Sequence, residues 1–292
     1  MQQPIATTFS ASPTGSPAGA PPSPQLVEQL AEVIAARTLM QFGGERRNLL
    51  LSTIGARARM SAGGDAATYV RHVMSPAGAV ELSLLIDDLT INETTFFRNV
   101  PQLDLFSSVA VPELIARQKA SGGKKEIAIW SAACSTGQEV YTLAILACEA
   151  LKLLPAWGVK VFGTDISPTV LGVARGGLYP KARLDTMPPQ LLARYFDDLG
   201  GEIRVKDMLR RMTFFQQHNL GETFPPTTYD VIFCRNVMIY FSREEQAKLA
   251  RKFHERLAPG GYLFIGHSES LQGLGVNFRL RIHERGVCYQ KD

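Results

Sequence analysis

The chain is 292 residues long, 45% hydrophobic and 20% charged, with a formal net charge of +4. Those values fit a globular protein with room for two domains, and no apolar run nears the ~20 residues a membrane-spanning helix needs. The opening residues lack a charged stretch followed by an apolar one, so no secretory signal is expected. Cys134, Cys148, Cys234 and Cys288 stand without a C-x-x-C pair. That argues for reduced, space-filling thiols over disulfides or zinc.

Residues 1–23 are rich in Pro, Ser, Gly, Ala and Thr. They carry too little apolar surface to offset the entropy of ordering and read as a disordered tail. In the next segment Leu26, Leu30, Val33 and Ile34 recur at helical spacing, and Gly43-Gly44 stops the helix. A second helix is predicted over Glu45–Met60, a third from an Asp65 N-cap through Val73, and a fourth over Pro76–Leu89. Residues 24–90 thus read as an all-helical domain. Within it Arg37, Arg46, Arg47, Arg57, Arg59 and Arg71 meet only Glu45 and Asp65 between Arg37 and Arg71, a local excess as large as that of the whole chain. Arg46 and Arg57 fall on one helical face. Either an acidic partner or a plain solvated face accounts for this patch.

Residues 91–125 read as a linker and a helix. The polar-aromatic stretch TINETTFFRN (90–99) suits neither a helix nor a strand, and a helix follows over Val100–Gln118 with Pro101 in its first turn. From Glu126 the pattern alternates. Strands at Glu126–Ser131, Val159–Thr164, Tyr229–Cys234 and Gly261–Gly266 are separated by helices at Gln138–Leu154, after Pro168, and at Arg243–Leu257. This rhythm predicts the α/β class, a parallel sheet covered on both faces. Phe278–His283 and Val287–Gln290 read as a hairpin that closes the sheet. Between Gly176 and Leu220 the rhythm breaks. A helix at Pro188–Phe196 and short strands at Ile203–Lys206 and Met212–Gln216 predict a small inserted β-subdomain over about 178–217 of a domain spanning 126–292.

Parallel strands deliver their C-terminal ends to one edge, where ligands bind. Ile127–Glu139 is a strand, a tight turn and a helix start, with one glycine, Gly137, where the dinucleotide fingerprint has three. Asp165 ends the second strand and is suited to two ribose hydroxyls, or else caps the next helix. Asn219 and Leu220 follow a strand end and suit the edge and face of an adenine. Arg235 and Asn236 close the buried run YDVIFC, with Tyr240 one turn on. His267, a base or a structural histidine, and Glu269 lie near the same rim. A ribose–adenine site with no second phosphate cradle, no G-x-x-x-x-G-K and no metal cluster favours S-adenosylmethionine over NAD or ATP.

Thr94-Thr95-Phe96-Phe97-Arg98, WSAACSTGQE-x-Y, the strand ending in Asp165, FFQQHNL, FCRNVMIYF and APGGYLFIGHSES occur in that order. Together they resemble the CheR family of chemotaxis receptor methyltransferases over residues 25–290. The resemblance implies a Rossmann-like class I S-adenosylmethionine methyltransferase sheet behind an N-terminal helical domain. It implies methyl transfer to the γ-carboxylate of glutamates on bacterial chemoreceptors, in the cytoplasm at receptor arrays, without a metal, nucleic acid or membrane insertion. By the same resemblance Asn92, Thr94 and Arg98 line the cofactor, Glu139 sits beside it, and Asp165 holds its ribose. Asn219 and Leu220 bracket the adenine, and Arg235 and Asn236 complete the pocket. Arg98 and Tyr240 are the expected catalytic residues. Arg98 orients a carboxylate, and Tyr240 faces the sulfonium or its methyl group.

The basic helices, with Arg46, Arg47, Arg57 and Arg59, are then expected to dock on the acidic methylation region of the receptor. In this family the inserted subdomain can also grip a C-terminal receptor pentapeptide. Here the turn at Asp197–Glu202 is short for that, so pentapeptide independence is expected. The sequence departs from the family pattern at Cys134, where alanine is expected, and at Gln138, where glutamate is common. Two rival readings remain, a methyltransferase for RNA or a small molecule, and a cofactor-sensing tether. The lack of interleaved aromatic and basic residues argues against an RNA substrate. Intact Arg98, Asp165 and Tyr240 argue against a degenerate site.

Overall fold

The structure, a computed structural model, describes residues 21–292 except 62, 91, 92, 185, 186 and 225. The expected tail is thus outside the described residues up to position 20, and so is Asn92. The chain divides into two compact units, one reaching to Val33 and resuming over Phe42–Leu89, the other formed by Ile34–Gln41 and Thr90–Asp292.

The first unit is helical. It holds most of α1 (Pro24–Thr38), then α2 (Glu45–Ser61), α3 (Ala66–Met74) and α4 (Ala79–Leu89), the last preceded by a 3₁₀ turn. Asp65 caps α3, its Oδ1 accepting from the amides of Ala67 and Thr68 at 3.0 and 3.3 Å. Leu30, Leu50, Ile54, Val70 and Leu85 are fully buried between the helices. α1 was expected to run to Phe42. It stops at Thr38 because Leu39 turns left-handed (φ 65°) and Thr38 folds its hydroxyl back onto the Ile34 carbonyl.

The face shared by Arg46 and Arg57 turns inward. Arg57 bridges Glu81 at 2.7 Å and Asp88 at 2.6 Å with only 14% of its side chain exposed. The Arg57 guanidinium holds the Glu81 carboxyl below the usual range, chiefly by that hydrogen bond. Arg46 donates to the Leu89 carbonyl and stacks on Phe42. Arg47 pairs with Glu28, while Arg59 and Arg71 are exposed.

The second unit is α/β. It opens with α5 (Val100–Leu105), a π-helical turn (Phe106–Ala110) and α6 (Val111–Ser121). The π turn has a cause. Pro112 has no N–H and its ring would meet the carbonyl four residues back, so the helix widens by one residue there. The Val111 amide accordingly reaches the Phe106 carbonyl. Next come β1 (Glu126–Ala132), α7 (Gln138–Leu151), β2 (Gly158–Asp165), α8 (Pro168–Gly176), β3 (Leu178–Pro180), α9 (Pro189–Tyr195), β4 (Phe196–Asp198), β5 (Glu202–Val205), α10 (Asp207–Arg210) and β6 (Thr213–Gln217). The chain ends with β7 (Tyr229–Cys234), a 3₁₀ turn (Met238–Tyr240), α11 (Arg243–Arg256), β8 (Leu257–Ile265), β9 (Phe278–His283) and β10 (Gly286–Lys291).

Seven strands form one sheet in the order β6-β2-β1-β7-β8-β10-β9. The first five run parallel, as the alternation predicts, and the β9–β10 hairpin is antiparallel, in keeping with the Rossmann-like sheet that the resemblance implies. Alternate side chains feed opposite faces. Phe233 stacks on Phe264 at 4.3 Å with Phe106 edge-on to both. From the neighbouring strand Trp130, 1% exposed, packs against Phe224, Tyr229 and Phe253. Truncating a tryptophan so buried costs about 3–5 kcal/mol.

The inserted region is smaller than 178–217. β3, β5 and β4 form a separate three-stranded sheet, but β6 pairs in parallel with β2 and is the edge strand of the main sheet. Its segment TFFQQ carries apolar and aromatic residues that fit a half-buried edge of the main sheet, where the sequence pattern predicts a strand of the insertion. No helix among the described residues is long and apolar enough to cross a membrane.

Candidate active site at the sheet switch point

The chain leaves β1 toward β2 on one side and β7 toward β8 on the other, which opens a crevice beyond the ends of β1 and β7. A cavity of about 210 Å³ lies there, wholly within the second unit. Its wall takes Ser135 from the turn after β1, Asp165 from the end of β2, His218 and Leu220 from just past β6, and Arg235 and Asn236 from just past β7. Thr94, Arg98, Glu139 and Tyr240 also face it. Of the residues expected at this edge, then, eight converge on one cavity. Asn219 does not line it. Its side-chain amide donates to the Arg37 carbonyl and its Oδ1 accepts from the Gly221 amide, so Asn219 closes its own loop.

The turn after β1 is left-handed at Ala133, Ser135 and Gly137, with φ of 61°, 49° and 91°. Asp165 fastens it. One carboxylate oxygen accepts from the Ser135 amide at 2.8 Å and the other from the Ser167 amide at 3.0 Å. The cap of α8 is Ser167, whose hydroxyl accepts from the Val170 amide, so Asp165 is not the helix cap. Gly137 is required twice over, by its φ and by space. A Cβ there would stand 2.8 Å from Ala174 Cβ and 3.1 Å from the Tyr179 hydroxyl, which itself donates to the Thr136 carbonyl. Gly137→Ala is expected to destabilise the fold by about 1–3 kcal/mol through overpacking and strain. Urea unfolding checks this; an unchanged midpoint contradicts it.

Arg235 and Glu139 form an ion pair at 2.6 Å with 5% and 12% of their side chains exposed. Ser131 donates to the other Glu139 oxygen, and Arg235 also donates to the Arg98 carbonyl. The pair thus ties β1, α7, β7 and the upstream segment together. Arg98 itself sits between two left-handed residues, Phe97 (φ 53°) and Asn99 (φ 63°). Such backbone costs about 1–3 kcal/mol per residue and persists only where the surroundings enforce it. They do so here. Thr142 Oγ1 accepts from the Phe97 amide, and Asn99 donates to Gln102. Gln102 is buried and donates to the carbonyls of Ile265 and Val287. Phe96 is core, edge-on to Tyr179 and Phe196 of the small sheet. Arg98 donates to the Glu93 carbonyl within the same wall.

Burial pushes the Cys134 thiol well up, reinforced by the Asp165 and Glu139 carboxylates, so it stays a protonated filler. Several lining residues were not expected from the sequence, among them His218, Thr38 and Met40. His218 directly precedes Asn219, and the exit of a strand into FFQQHNL pointed to it. Thr38 and Met40 gave no signal, because the helix was expected to run past them.

Burial pushes the His218 imidazole down from about 6.5, with Glu222 opposing and Lys252 adding to the shift. A base whose folded pKa is depressed keeps its full stability above the unfolded value. That stability is lost as pH falls through the window below about 6.5 toward the depressed folded value. His254 is shifted the same way, also chiefly by burial. Urea midpoints are therefore expected to fall between neutral and mildly acidic pH, and to fall less in His218→Leu. Equal slopes in both proteins contradict the assignment.

The residues suit an S-adenosylmethionine donor. The cavity combines three carboxylate residues (Glu93, Glu139 and Asp165), two guanidinium groups and an aromatic hydroxyl with apolar walls from Met40, Ile166 and Leu220. That set matches a ligand with a diol, a cationic centre, an amino-acid end and a flat base. Comparison with known proteins agrees. Residues 92–286 match the family described as CheR methyltransferase, SAM binding domain. A chemotaxis protein methyltransferase of Borreliella burgdorferi is 36% identical over 78% of this chain and 82% of its own length. Chemotaxis protein methyltransferase 1 of Pseudomonas aeruginosa is 36% identical over 76% and 81%. The chemotaxis protein methyltransferase of Escherichia coli is 34% identical over 87% of each chain. With its parallel sheet, its cavity at the switch point and these matches over most of its length, the chain belongs to the CheR methyltransferase family, and its α/β unit carries the family's S-adenosylmethionine-binding domain.

Proposed function

We propose that this protein methylates the γ-carboxylate of specific glutamates on bacterial chemoreceptors, forming glutamate methyl esters during chemotaxis adaptation. The observation that supports it most is the match, over 76% to 87% of the chain, to proteins named chemotaxis protein methyltransferases. The cavity supplies the chemistry.

When bound, S-adenosylmethionine supplies an electrophilic methyl group on a sulfonium. A glutamate carboxylate, with a pKa of about 4.3, is already ionised at neutral pH, so no general base is needed. The protein's part is alignment, which contributes up to about 7–11 kcal/mol when ideal. Asp165 holds the ribose hydroxyls, and Leu220 packs on the adenine. Thr94, Glu139, Arg235 and Asn236 shape the rest of the donor pocket. Arg98 orients a carboxylate by charge-assisted bonds, and Tyr240 presents its ring to the sulfonium or methyl group, an attraction of about 0.5–2 kcal/mol. Residues 24–90 dock the receptor and residues 126–292 perform transfer, in the cytoplasm beside receptor arrays. The exposed arginines of the patch for docking include Arg37, Arg59 and Arg71, since Arg57 is engaged by Glu81 and Asp88. The link between β4 and β5 is only Leu199–Gly201, in keeping with pentapeptide independence.

The test is incubation with methyl-labelled S-adenosylmethionine and membranes bearing candidate receptors. Label that is released as methanol by mild alkali supports the ester. Alkali-stable label, or label on RNA in place of receptor, overturns it.

A further inference from the structure

Glu269 lies outside the cavity wall, yet four backbone amides converge on its carboxylate. One oxygen accepts from Gly266 at 2.5 Å and Asn236 at 3.2 Å. The other accepts from Val237 at 2.9 Å and Ile239 at 3.2 Å. An ionised carboxylate has about four acceptor sites, so Glu269 is saturated by amides alone. These bonds join two strand ends. Gly266 follows β8, and Asn236, Val237 and Ile239 follow β7 and lead into the 3₁₀ turn that carries Tyr240. Neither neighbour leaves slack. Asn236 is left-handed at φ 62°, and a Cβ on Gly266 would stand 2.7 Å from a Glu269 oxygen and 2.9 Å from the Asn236 amide. The anion also sits at the start of that turn, where its amide dipoles favour negative charge.

We propose that Glu269 is a positioning residue for methyl transfer. Its carboxylate acts as a four-point clamp that sets the Asn236–Tyr240 loop, and with it the Tyr240 ring and the Asn236–Val237 wall of the donor cavity. The proposal rests on the reading of Tyr240 as a residue that faces the transferred methyl group. The charge is essential to the clamp. A glutamine keeps one acceptor oxygen and turns an NH₂ group toward amides that also donate, so two of the four bonds are lost and two donors oppose each other. Release of a loop by a fraction of an ångström to 1 Å costs up to about 100-fold in the rate of an aligned reaction.

The experiment compares wild type, Glu269→Gln, Tyr240→Leu and the double variant in single-turnover methyl transfer to receptor membranes. Circular dichroism and a urea midpoint accompany each protein. The expected result is a loss of about 10- to 100-fold in Glu269→Gln at saturating donor. Tyr240→Leu, which removes the ring, is expected to cost much less in the Glu269→Gln background than in wild type, because the misplaced ring has already lost its role. A side chain that only supports the fold would leave the two losses multiplicative, and that outcome overturns the proposal, as does a Glu269→Gln rate near wild type. If Tyr240→Leu alone is silent, the reading of Tyr240 fails. The clamp is then judged on calorimetric affinity for S-adenosylhomocysteine, which is expected to fall in Glu269→Gln through the Asn236–Val237 wall. Unchanged affinity would overturn it. Should Glu269→Gln not fold, Glu269→Asp, one methylene short of the four amides, takes its place with the same expected pattern.

Discussion

Arg235→Met is expected to cost about 3–5 kcal/mol of stability and to abolish donor binding. The replacement keeps much of the volume and removes the charge. Glu139, 12% exposed, then retains only the hydroxyl of Ser131 as a hydrogen-bond partner and has lost its counter-charge. Breaking a buried pair from one side costs that much because a buried charge is left uncompensated. Against a total stability of about 5–15 kcal/mol the loss is large. The Arg98 carbonyl loses its donor as well, so the segment that carries Arg98 loosens. The double variant Arg235→Met, Glu139→Met separates stability from function. Replacing a whole buried pair by apolar groups is often neutral, so its urea midpoint is expected to recover most of the loss while S-adenosylhomocysteine binding stays absent. A single variant with a wild-type midpoint would contradict the burial argument. A double variant that binds normally would contradict the placement of the pair at the donor.

Asp165→Ala is expected to weaken S-adenosylhomocysteine binding by at least about 100-fold. Hydrogen bonds to a charged group contribute about 1.5–3 kcal/mol each, and a tenfold change in affinity is about 1.4 kcal/mol. Two ribose hydroxyls on one carboxylate therefore exceed a hundredfold. The loss also frees the amides of Ser135 and Ser167, which Asp165 accepts from at 2.8 and 3.0 Å. A ligand lacking both ribose hydroxyls distinguishes the two effects. It is expected to bind wild type weakly and to lose little more in Asp165→Ala. Equal loss for both ligands would assign Asp165 to the turn alone, and near-normal calorimetric affinity would contradict both roles.

The sheet was legible because its strands announce themselves. YDVIFC and the run from Ile127 are apolar, bounded by turn residues, and separated by helical periods, so their parallel direction followed. Strand ends could then be lined up on one edge, which is why Asp165, Glu139, Arg235 and Tyr240 were found together. The misses have a common cause, contacts between residues far apart in sequence. Nothing local in ERRNLLLSTIGARARMS says that Arg57 meets Glu81 and Asp88, so a basic face read as free is in part an internal bridge. Asn219 follows the strand end as expected, but its side-chain amide donates to the Arg37 carbonyl, a contact across 182 residues that no local pattern announces. β6 is short and lies beside an insertion, and only its pairing with β2 assigns it to the main sheet. Glu269 was placed at the rim, but a clamp of four amides is a property of two loops, not of the motif GHSES.

The most direct test of the account is a mass map of methylated receptor. Purified protein, S-adenosylmethionine and a receptor cytoplasmic fragment are incubated, and peptides are compared with and without mild alkali. The account predicts alkali-labile gains of one methylene on defined glutamates, lost when those glutamates are replaced by alanine. Methylation that survives alkali, or that appears on another residue type, would contradict it.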